Sequence, residues 1–228
     1  MMSDRLYDVW WTDAVGGEQV MEESHHRHWQ KLIDVIVERD LHTRTILDFG
    51  CNQGGFLRFL HGQRPFASGL GVDLARTSVA VANTRAGDLP IVYVLTSTLE
   101  PYAARFDLAV SSAVVYLLPD LPAHAREIKH ALKAGGVYYA TYSDYRGNPS
   151  LPSMREHINR HGAVAMREHA LEDIALAFQN EGFDVGIRRM LPSGFIPVRL
   201  PDRFFRSLAD RMLYEYEQAY VFRCVAPR

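Results

Sequence analysis

From residue 44 onward, short apolar runs alternate with segments of helical periodicity. This alternation is typical of βαβ units and a parallel sheet, because a parallel strand needs a helix-length crossover to return to the same edge. The predicted strands are TILDF (45–49), SGLGVD (68–73), IVYVL (91–95), FDLAVSS (106–112), GVYYATYS (136–143), FDVGIRR (183–189) and QAYVFRCV (218–225). Helices are predicted near 55–62, 78–85, 121–132 and 171–182, the third ending in a left-handed cap at Gly135 and Gly136. The last two strands lack the usual crossover helix, so we expect an antiparallel pair carrying an insertion.

Three segments stand outside this alternation, and we treat residues 1–228 as one domain that includes them. Residues 144–170 and 190–216 are interpreted as covering insertions. Residues 1–42 carry large aromatic side chains and the amphipathic run WQKLIDVIV, yet they precede the first strand. We therefore expect them to form a helical lid over the carboxyl edge of the sheet.

Charge and cysteine usage narrow the class of protein. Lys plus Arg number 25 against 27 for Asp plus Glu, so no basic field favours nucleic acid as a partner. Cys51 and Cys224 are far apart without metal-ligand spacing, which fits a reducing cytoplasm. No secretory signal or apolar stretch of membrane-spanning length is apparent, so no membrane partner is expected. We expect a cytoplasmic monomer or homodimer.

The stretch LDFGCNQGGFL, residues 47–57, predicts a strand, a glycine-rich turn and a helix. A dinucleotide site would need GxGxxG, but Asn52 stands where the second glycine lets the backbone approach a pyrophosphate. Asp48 lies two residues before the turn, and its carboxylate would repel a pyrophosphate while favouring a cation. The turn is therefore interpreted as a site for an ammonium or sulfonium group.

The pattern D-x-G-x-x-x-G, formed by Asp48, Gly50 and Gly54, resembles the first motif of the class I S-adenosylmethionine (SAM) dependent methyltransferases. Asp73 ends the second predicted strand, where an acid binds both ribose hydroxyls of an adenosine. The segment LKAGG before the fifth strand is also similar to this family. The resemblance covers residues 44–189 and implies a Rossmann-like α/β fold. It also implies the strand order 3-2-1-4-5-7-6 with strand seven antiparallel, and SAM as cofactor, with S-adenosylhomocysteine as product.

The resemblance, together with the lid, implies a set of site residues. Predicted cofactor contacts are Tyr7, Trp11, Asp48, Gly50, Asn52, Gln53, Gly54, Phe56, Asp73, Leu74, Ser97, Thr98, Ser111 and Ser112. His28 and Tyr116 are predicted near the reacting groups. The cluster EESHHRHW places His25 and His28 at metal-like spacing, but no further ligand set accompanies them, so no metal is expected.

Methyl transfer from a sulfonium needs an oriented acceptor rather than a protein nucleophile, so the acceptor atom (O, N or C) stays open. The near-neutral charge and the aromatic covering segments favour a small-molecule acceptor. Two alternatives remain from the sequence. A NAD-dependent oxidoreductase would share Asp73, and a SAM-binding protein without turnover would keep both aspartates.

Overall fold

The computed structural model describes residues 17–161, 164–198, 200–202 and 204–228. Its centre is a seven-stranded sheet in the order β3-β2-β1-β4-β5-β7-β6. Pairing is parallel from β3 to β5, whereas β7 runs antiparallel to both β5 and β6. The strands are β1 Thr45–Phe49, β2 Ser68–Asp73, β3 Ile91–Leu95, β4 Phe106–Ser111, β5 Leu132–Ser143, β6 Asp184–Arg189 and β7 Ala219–Val225. The predicted strand order and the antiparallel direction of the last strand are confirmed.

Helices pack against both faces of the sheet. They are α1 Gly17–Val35, α2 Gly55–Gln63, α3 Arg76–Ala86, α4 Leu121–Ala131, α5 Leu151–His161, α6 Leu171–Gln179 and α7 Leu208–Leu213. Buried side chains of α1, α2 and α3 form one core layer, and those of α4 and α6 form the other. Successive strand residues such as Ile46 and Leu47 enter opposite layers and are both fully buried. This is why the central strands are continuous apolar runs rather than alternating ones. None of the described helices combines the length and apolar character needed to cross a bilayer.

The expected left-handed helix cap at Gly135 is wrong. Helix α4 ends at Ala131, and the chain is already strand at Leu132, which pairs with Phe106. The register between β4 and β5 shifts directly after this pair, and Gly135 takes a φ of +69° within the irregular stretch. Because the Leu132 side chain is buried in the core, tertiary pairing ends the helix before the glycines are reached. The positive φ of Gly135 is thus part of the irregular start of β5 and not part of a helix cap.

The second half of residues 1–42, the segment expected to form a lid over the carboxyl edge, packs into the core. Leu32, Ile33 and Ile36 are at most 1% exposed and lie in the same core layer as α2. Trp29 packs into the space above Gly55, where an added Cβ would lie 2.2 Å from the indole. Residues from Trp29 onward are therefore structural. Residues 1–16 lie outside the described part of the chain.

A buried polar network joins the two covering segments near the start of β7. Asn148 donates from Nδ2 to the Asp210 carbonyl oxygen (3.0 Å) and to Gln218 Oε1 (2.7 Å). Its Oδ1 accepts from the Ser150 N–H (2.9 Å), and the Ser150 hydroxyl donates to Asp210 Oδ2 (2.5 Å). Arg206 N–H in turn donates to Ser150 Oγ (2.9 Å). Since these polar groups are paired inside the protein, the network fixes both segments over the same edge.

Candidate active site

The turn between β1 and α2 has three residues in the left-handed region. Gly50, Asn52 and Gly54 have φ values of +80°, +47° and +75°. Asparagine is among the few non-glycine residues that tolerate this conformation, so Asn52 follows the path a glycine would take. The N–H groups of Gly50 and Cys51 both donate to the Val72 carbonyl oxygen, at 2.8 and 3.0 Å. These bonds attach the turn to the neighbouring strand.

Glycine at positions 50 and 54 is also required by close packing. A Cβ on Gly54 would lie 2.3 Å from Cζ of Tyr93, whose hydroxyl donates to the Gly54 carbonyl oxygen at 2.7 Å. A Cβ on Gly50 would lie 2.4 Å from Cγ2 of Val114, in the loop after β4. The turn after β1 therefore touches the loop that carries Tyr116.

Asp48 is a buried carboxylate with an unsatisfied oxygen. It is 1% exposed, and its Oδ2 forms no hydrogen bond within the described structure. Burial and, secondarily, the charge of Asp73 raise the pKa of Asp48 to about 8. An unpaired carboxylate oxygen in this position is costly unless a ligand supplies a positive charge or an N–H group. Asp48 therefore suits a ligand that carries an ammonium or sulfonium group.

Asp73 is held by the backbone around it. Its Oδ2 accepts from the Asn52 N–H (2.8 Å) and its Oδ1 from the Ala75 N–H (2.9 Å). Burial raises the pKa of Asp73, and hydrogen bonds from the Ala75, Asn52 and Leu74 backbone oppose that rise. A carboxylate has about four acceptor sites, so these backbone bonds still leave Asp73 able to accept from a ligand hydroxyl. The next side chain, Leu74, is 47% exposed and offers an apolar surface beside that position.

Other predicted cofactor contacts already have partners within the protein. The Thr98 hydroxyl accepts from the Glu100 N–H (3.1 Å), while Ser97 is exposed beside it. Gln53 accepts from Arg85 at 3.0 Å, and Phe56 packs edge-on against Trp29 with 3% exposure. Their contacts with the cofactor stay predictions.

The serines after β4 stay predictions too. Ser111 is the last residue of the strand and is fully buried, whereas Ser112 is half-buried. Tyr7 and Trp11, which are also predicted to contact the cofactor, lie outside the described residues.

Tyr116 belongs to a group that sequence reasoning missed, which we call the tyrosine cluster: Tyr116, Tyr145 and Tyr214. The rings of Tyr145 and Tyr214 stack with centroids 5.3 Å apart. Their hydroxyls are hydrogen-bonded to each other and to Ser143, the last residue of β5. The Tyr116 hydroxyl is close enough to contribute to the raised pKa of Tyr145. The position of Tyr145 just after a predicted strand was a usable signal, whereas nothing in the sequence links Tyr214 to it.

The surroundings of His28 favour its neutral form. Burial, with the charges of His25 and Lys31, lowers the pKa of His28 to about 3, and its buried Nε2 has no hydrogen-bond partner in the described structure. Lys31, one turn along α1, forms an ion pair with Glu215 at 2.6 Å, next to Tyr214. Helix α1 thus reaches the segment that carries Tyr214 of the tyrosine cluster. Of its other imidazoles, His25 stacks on Trp29 and His26 stacks on Phe59.

A family model described as a methyltransferase domain matches residues 21–185. The chain belongs to this methyltransferase family. Family membership rules out the NAD-dependent oxidoreductase that the sequence had left open. SAM is the cofactor of this methyltransferase, and the unpartnered Asp48 oxygen and the left-handed turn fit it.

Individual relatives are distant in sequence. The methyltransferase is 24% identical over 216 residues to the malonyl-[acyl-carrier protein] O-methyltransferase of Anoxybacillus flavithermus, covering 84% of this chain and 82% of that protein. A methyltransferase of Haloferax volcanii, solved in complex with the Trm112 methyltransferase activator, superposes with a TM-score of 0.76 at 21% identity, over 92% of this chain and 93% of that one. Phosphoethanolamine N-methyltransferase 2 of Haemonchus contortus, solved with SAM, gives 0.65 at 19% identity, over 87% and 52% of the two chains. These structural matches show the shared fold.

Proposed function

We propose that this enzyme transfers the methyl group of SAM to a small-molecule acceptor that binds beside the tyrosine cluster. The observation that carries the proposal is the division of the carboxyl edge into two chemically different parts. The ends of β1 and β2 present buried carboxylates, Asp48 and Asp73. The ends of β4 and β5 present neutral hydroxyls and aromatic rings. A cation binds to the first part and an acceptor to the second.

The bound cofactor supplies an electrophilic methyl group. The chain's own residues bind the cofactor and orient the acceptor. Asp48 pairs with positive charge, and Asp73 accepts from the ribose hydroxyls. The tyrosine cluster orients the acceptor, and orientation is the main contribution a protein makes to such a transfer. We propose that residues 1–16 complete the lid and exclude water during the reaction.

Three considerations support a small acceptor. The overall charge is close to neutral, at −2, which does not favour a polyanion. The described acceptor side consists of neutral tyrosine and serine side chains. The Haemonchus relative is named for phosphoethanolamine, a small molecule, and the Anoxybacillus relative for a malonyl group on a carrier protein.

Calorimetric titration with SAM, S-adenosylhomocysteine and NADH tests the cofactor side. Asp73→Ala should weaken SAM binding by about 1.5–3 kcal/mol, as expected for a hydrogen bond to a charged group. Because Asp73 also accepts from backbone N–H groups around it, thermal unfolding of the variant must be measured alongside. Asp107→Ala, at the opposite edge of the sheet, is the matched control and should leave SAM affinity unchanged. Equal SAM affinities in the two variants would contradict the assignment of Asp73.

Incubation of the enzyme with methyl-labelled SAM and a cell extract tests the acceptor side. The products are then separated by size. We expect the label in the small-molecule fraction. Label found mainly in RNA, DNA or protein would refute a small acceptor.

A further inference from the structure

A run of exposed apolar side chains begins in the edge strand β6 and continues beyond it. Of the fourteen large apolar residues that are exposed in the described part of the chain, seven lie within residues 187–208, which we call the exposed apolar segment. They are Ile187, Leu191, Phe195, Val198, Leu200, Phe204 and Leu208. Phe195 is the extreme case, at 105% exposure. A soluble protein rarely exposes so many neighbouring apolar side chains unless the surface binds a partner.

The exposed apolar segment is fixed near both of its ends. Met190 is 1% exposed, and its N–H donates to a carbonyl oxygen of β7 at 2.8 Å. Further along, Asp202 accepts from the N–H groups of Phe204 and Phe205, at 2.8 and 3.0 Å. The Phe205 ring packs against Tyr214, with centroids 5.4 Å apart. The apolar side chains between these anchors therefore belong to a surface that the fold holds in place.

The same segment is strongly basic. It contains five arginines and one acid, which gives a net charge of +4 in a chain whose total is −2. The rest of the chain carries −6, from 20 basic and 26 acidic residues. The one acid, Asp202, has only 10% side-chain exposure and pairs with Arg211 at 3.0 Å. Arg189 pairs with Glu217 at 2.6 Å, and Arg188 beside it is exposed. Positive charge thus accompanies the exposed apolar side chains.

The position of the segment in the fold is also informative. Strands β5 and β6 both run antiparallel to β7, so they are parallel to each other. The carboxyl end of β6, where residue 190 follows, therefore lies at the same edge of the sheet as the turn after β1. The surface formed by the segment borders the edge that carries the candidate active site.

We propose that the exposed apolar segment docks the enzyme on a membrane surface that contains anionic lipid. Such a surface offers negative charge to the arginines and an apolar interior to Phe195 and its neighbours. The strength of this kind of binding grows with the buried apolar area and with the attraction to anionic lipid. It needs no spanning helix, and it departs from the expectation, based on the sequence, that the chain has no membrane partner.

Two other partners fit this surface less well. In a symmetric dimer the same surface would face its own copy, so its arginines would oppose each other. Nucleic acid would pair with the arginines but would leave the apolar side chains in water. A bilayer satisfies both features of the segment together.

Sedimentation with lipid vesicles tests the proposal. Vesicles of phosphatidylcholine alone are compared with vesicles in which about 30% of the lipid is phosphatidylglycerol, which gives the surface a negative potential. We expect binding to the anionic vesicles to be tighter by about tenfold or more, since several arginines lie near the surface. Raising the salt concentration from about 0.1 M to about 0.5 M should weaken this binding, because the charges are then screened. Equal binding to both kinds of vesicle, or binding to neither, would overturn the proposal.

Phe195→Ser removes the most exposed ring. We expect this variant to bind anionic vesicles about tenfold more weakly, because the ring no longer enters the apolar interior. Thermal unfolding should be unchanged, since the ring lies in solvent in the isolated protein. Val92→Ser is the matched control, because Val92 is 58% exposed on β3, at the opposite edge of the sheet from β6. Equal vesicle affinities of the two variants would contradict the assignment of the surface.

Arg188→Gln tests the contribution of charge. It should weaken binding to anionic vesicles by about fivefold, as expected for one arginine near such a surface. Arg105→Gln, which changes an exposed arginine before β4, is the control and should bind the vesicles as the wild type does.

Sedimentation velocity without lipid, and capture of partners from a cell extract, address the other occupants. If the wild type bound no vesicles but formed a dimer that Phe195→Ser dissociates, the surface would belong to a second copy of the chain. If it bound no vesicles but retained an acidic protein that Phe195→Ser loses, the surface would belong to that protein. Either result would overturn the proposal. Vesicle binding that depends on phosphatidylglycerol, Phe195 and Arg188 would support it.

Discussion

At the scale of single residues, Asp48 is where function conflicts most with stability. Its carboxylate is buried, one oxygen has no partner, and its pKa is raised to about 8. An acid of this kind has an ordinary pKa near 4 in the unfolded chain. Because ionised Asp48 is disfavoured only in the folded protein, it lowers stability progressively as pH rises from about 4 to about 8. Positive charge on the ligand relieves this conflict.

Asp48→Asn should therefore stabilise the ligand-free protein, and the gain should grow from acid pH up to about pH 8 and then level off. The same variant should bind SAM at least tenfold more weakly, about 1.5 kcal/mol or more, because the charged partner is gone. In the wild type, SAM affinity should rise with pH up to about 8. Thermal unfolding and calorimetry at pH 5, 7 and 9 measure all three effects.

Asp107→Asn is a control for which we expect the opposite change in stability. Lys133 and Thr45 lower the pKa of Asp107 to about 2, against the opposing effect of burial. Its contribution to stability is present above about pH 4 and is lost as pH falls through about 2. Replacement by Asn should destabilise the protein at neutral pH without changing SAM affinity. If Asp48→Asn were also destabilised at pH 7, a structural partner for Asp48 would have to exist.

At the scale of elements, the carboxyl edge depends on contacts between segments far apart in sequence. The turn after β1 touches the loop after β4 through Gly50 and Val114. Helix α1 reaches the segment before β7 through Lys31 and Glu215. The two covering segments are joined by the network around Asn148. The acceptor side is thus assembled from elements that are themselves held by buried polar bonds.

Asn148→Ala should release these covering segments from each other. The change leaves the Ser150 N–H and the Gln218 Oε1 without their partners, which should cost about 2–4 kcal/mol if two buried groups lose a hydrogen bond. Hydrogen exchange should increase in residues 144–161 and 204–218, while β1, β2 and β4 stay protected. Chemical denaturation measures the loss of stability.

Asn180→Ala removes an exposed asparagine at the end of α6 and is the matched control. It should change stability by less than about 0.5 kcal/mol, as is usual for surface positions. Uniform loss of protection across the sheet in Asn148→Ala would mean that the network supports the whole fold rather than this edge.

At the scale of the whole molecule, the segment before β1 supplies part of the core. Trp29, Leu32, Ile33 and Ile36 belong to the core layer shared with α2. Residues 1–16 lie outside the described structure. We propose that this first part is the lid.

Removal of residues 1–20 should leave the fold intact by circular dichroism while abolishing turnover and weakening SAM binding. Removal of residues 1–42 should unfold the protein, because it strips several fully buried side chains from the core. Full activity in the shorter truncation would show that the lid assignment is wrong.

The sequence by itself determined the order of the strands and helices, because each short apolar run is long enough for one buried strand. It also predicted Asp48, Gly50, Gly54 and Asp73 as cofactor contacts. Glycines in a turn with positive φ and acids at strand ends can be recognised from the local sequence. The final position of α4 was mispredicted because Leu132 pairs with β4, and this pairing depends on a strand remote in sequence. Local glycine signals could not reveal it.

Only the tertiary structure brings the tyrosine cluster together. Tyr116, Tyr145 and Tyr214 come from the loop after β4, the loop after β5 and the segment before β7, and no pattern of spacing relates them. The antiparallel insertion of β7 between β5 and β6 brings Ser143 opposite Ala219, and this places Tyr214 over the end of β5. Burial then sets the protonation of these groups and of Asp48 and His28, because desolvation depends on surrounding atoms that only the folded chain brings together.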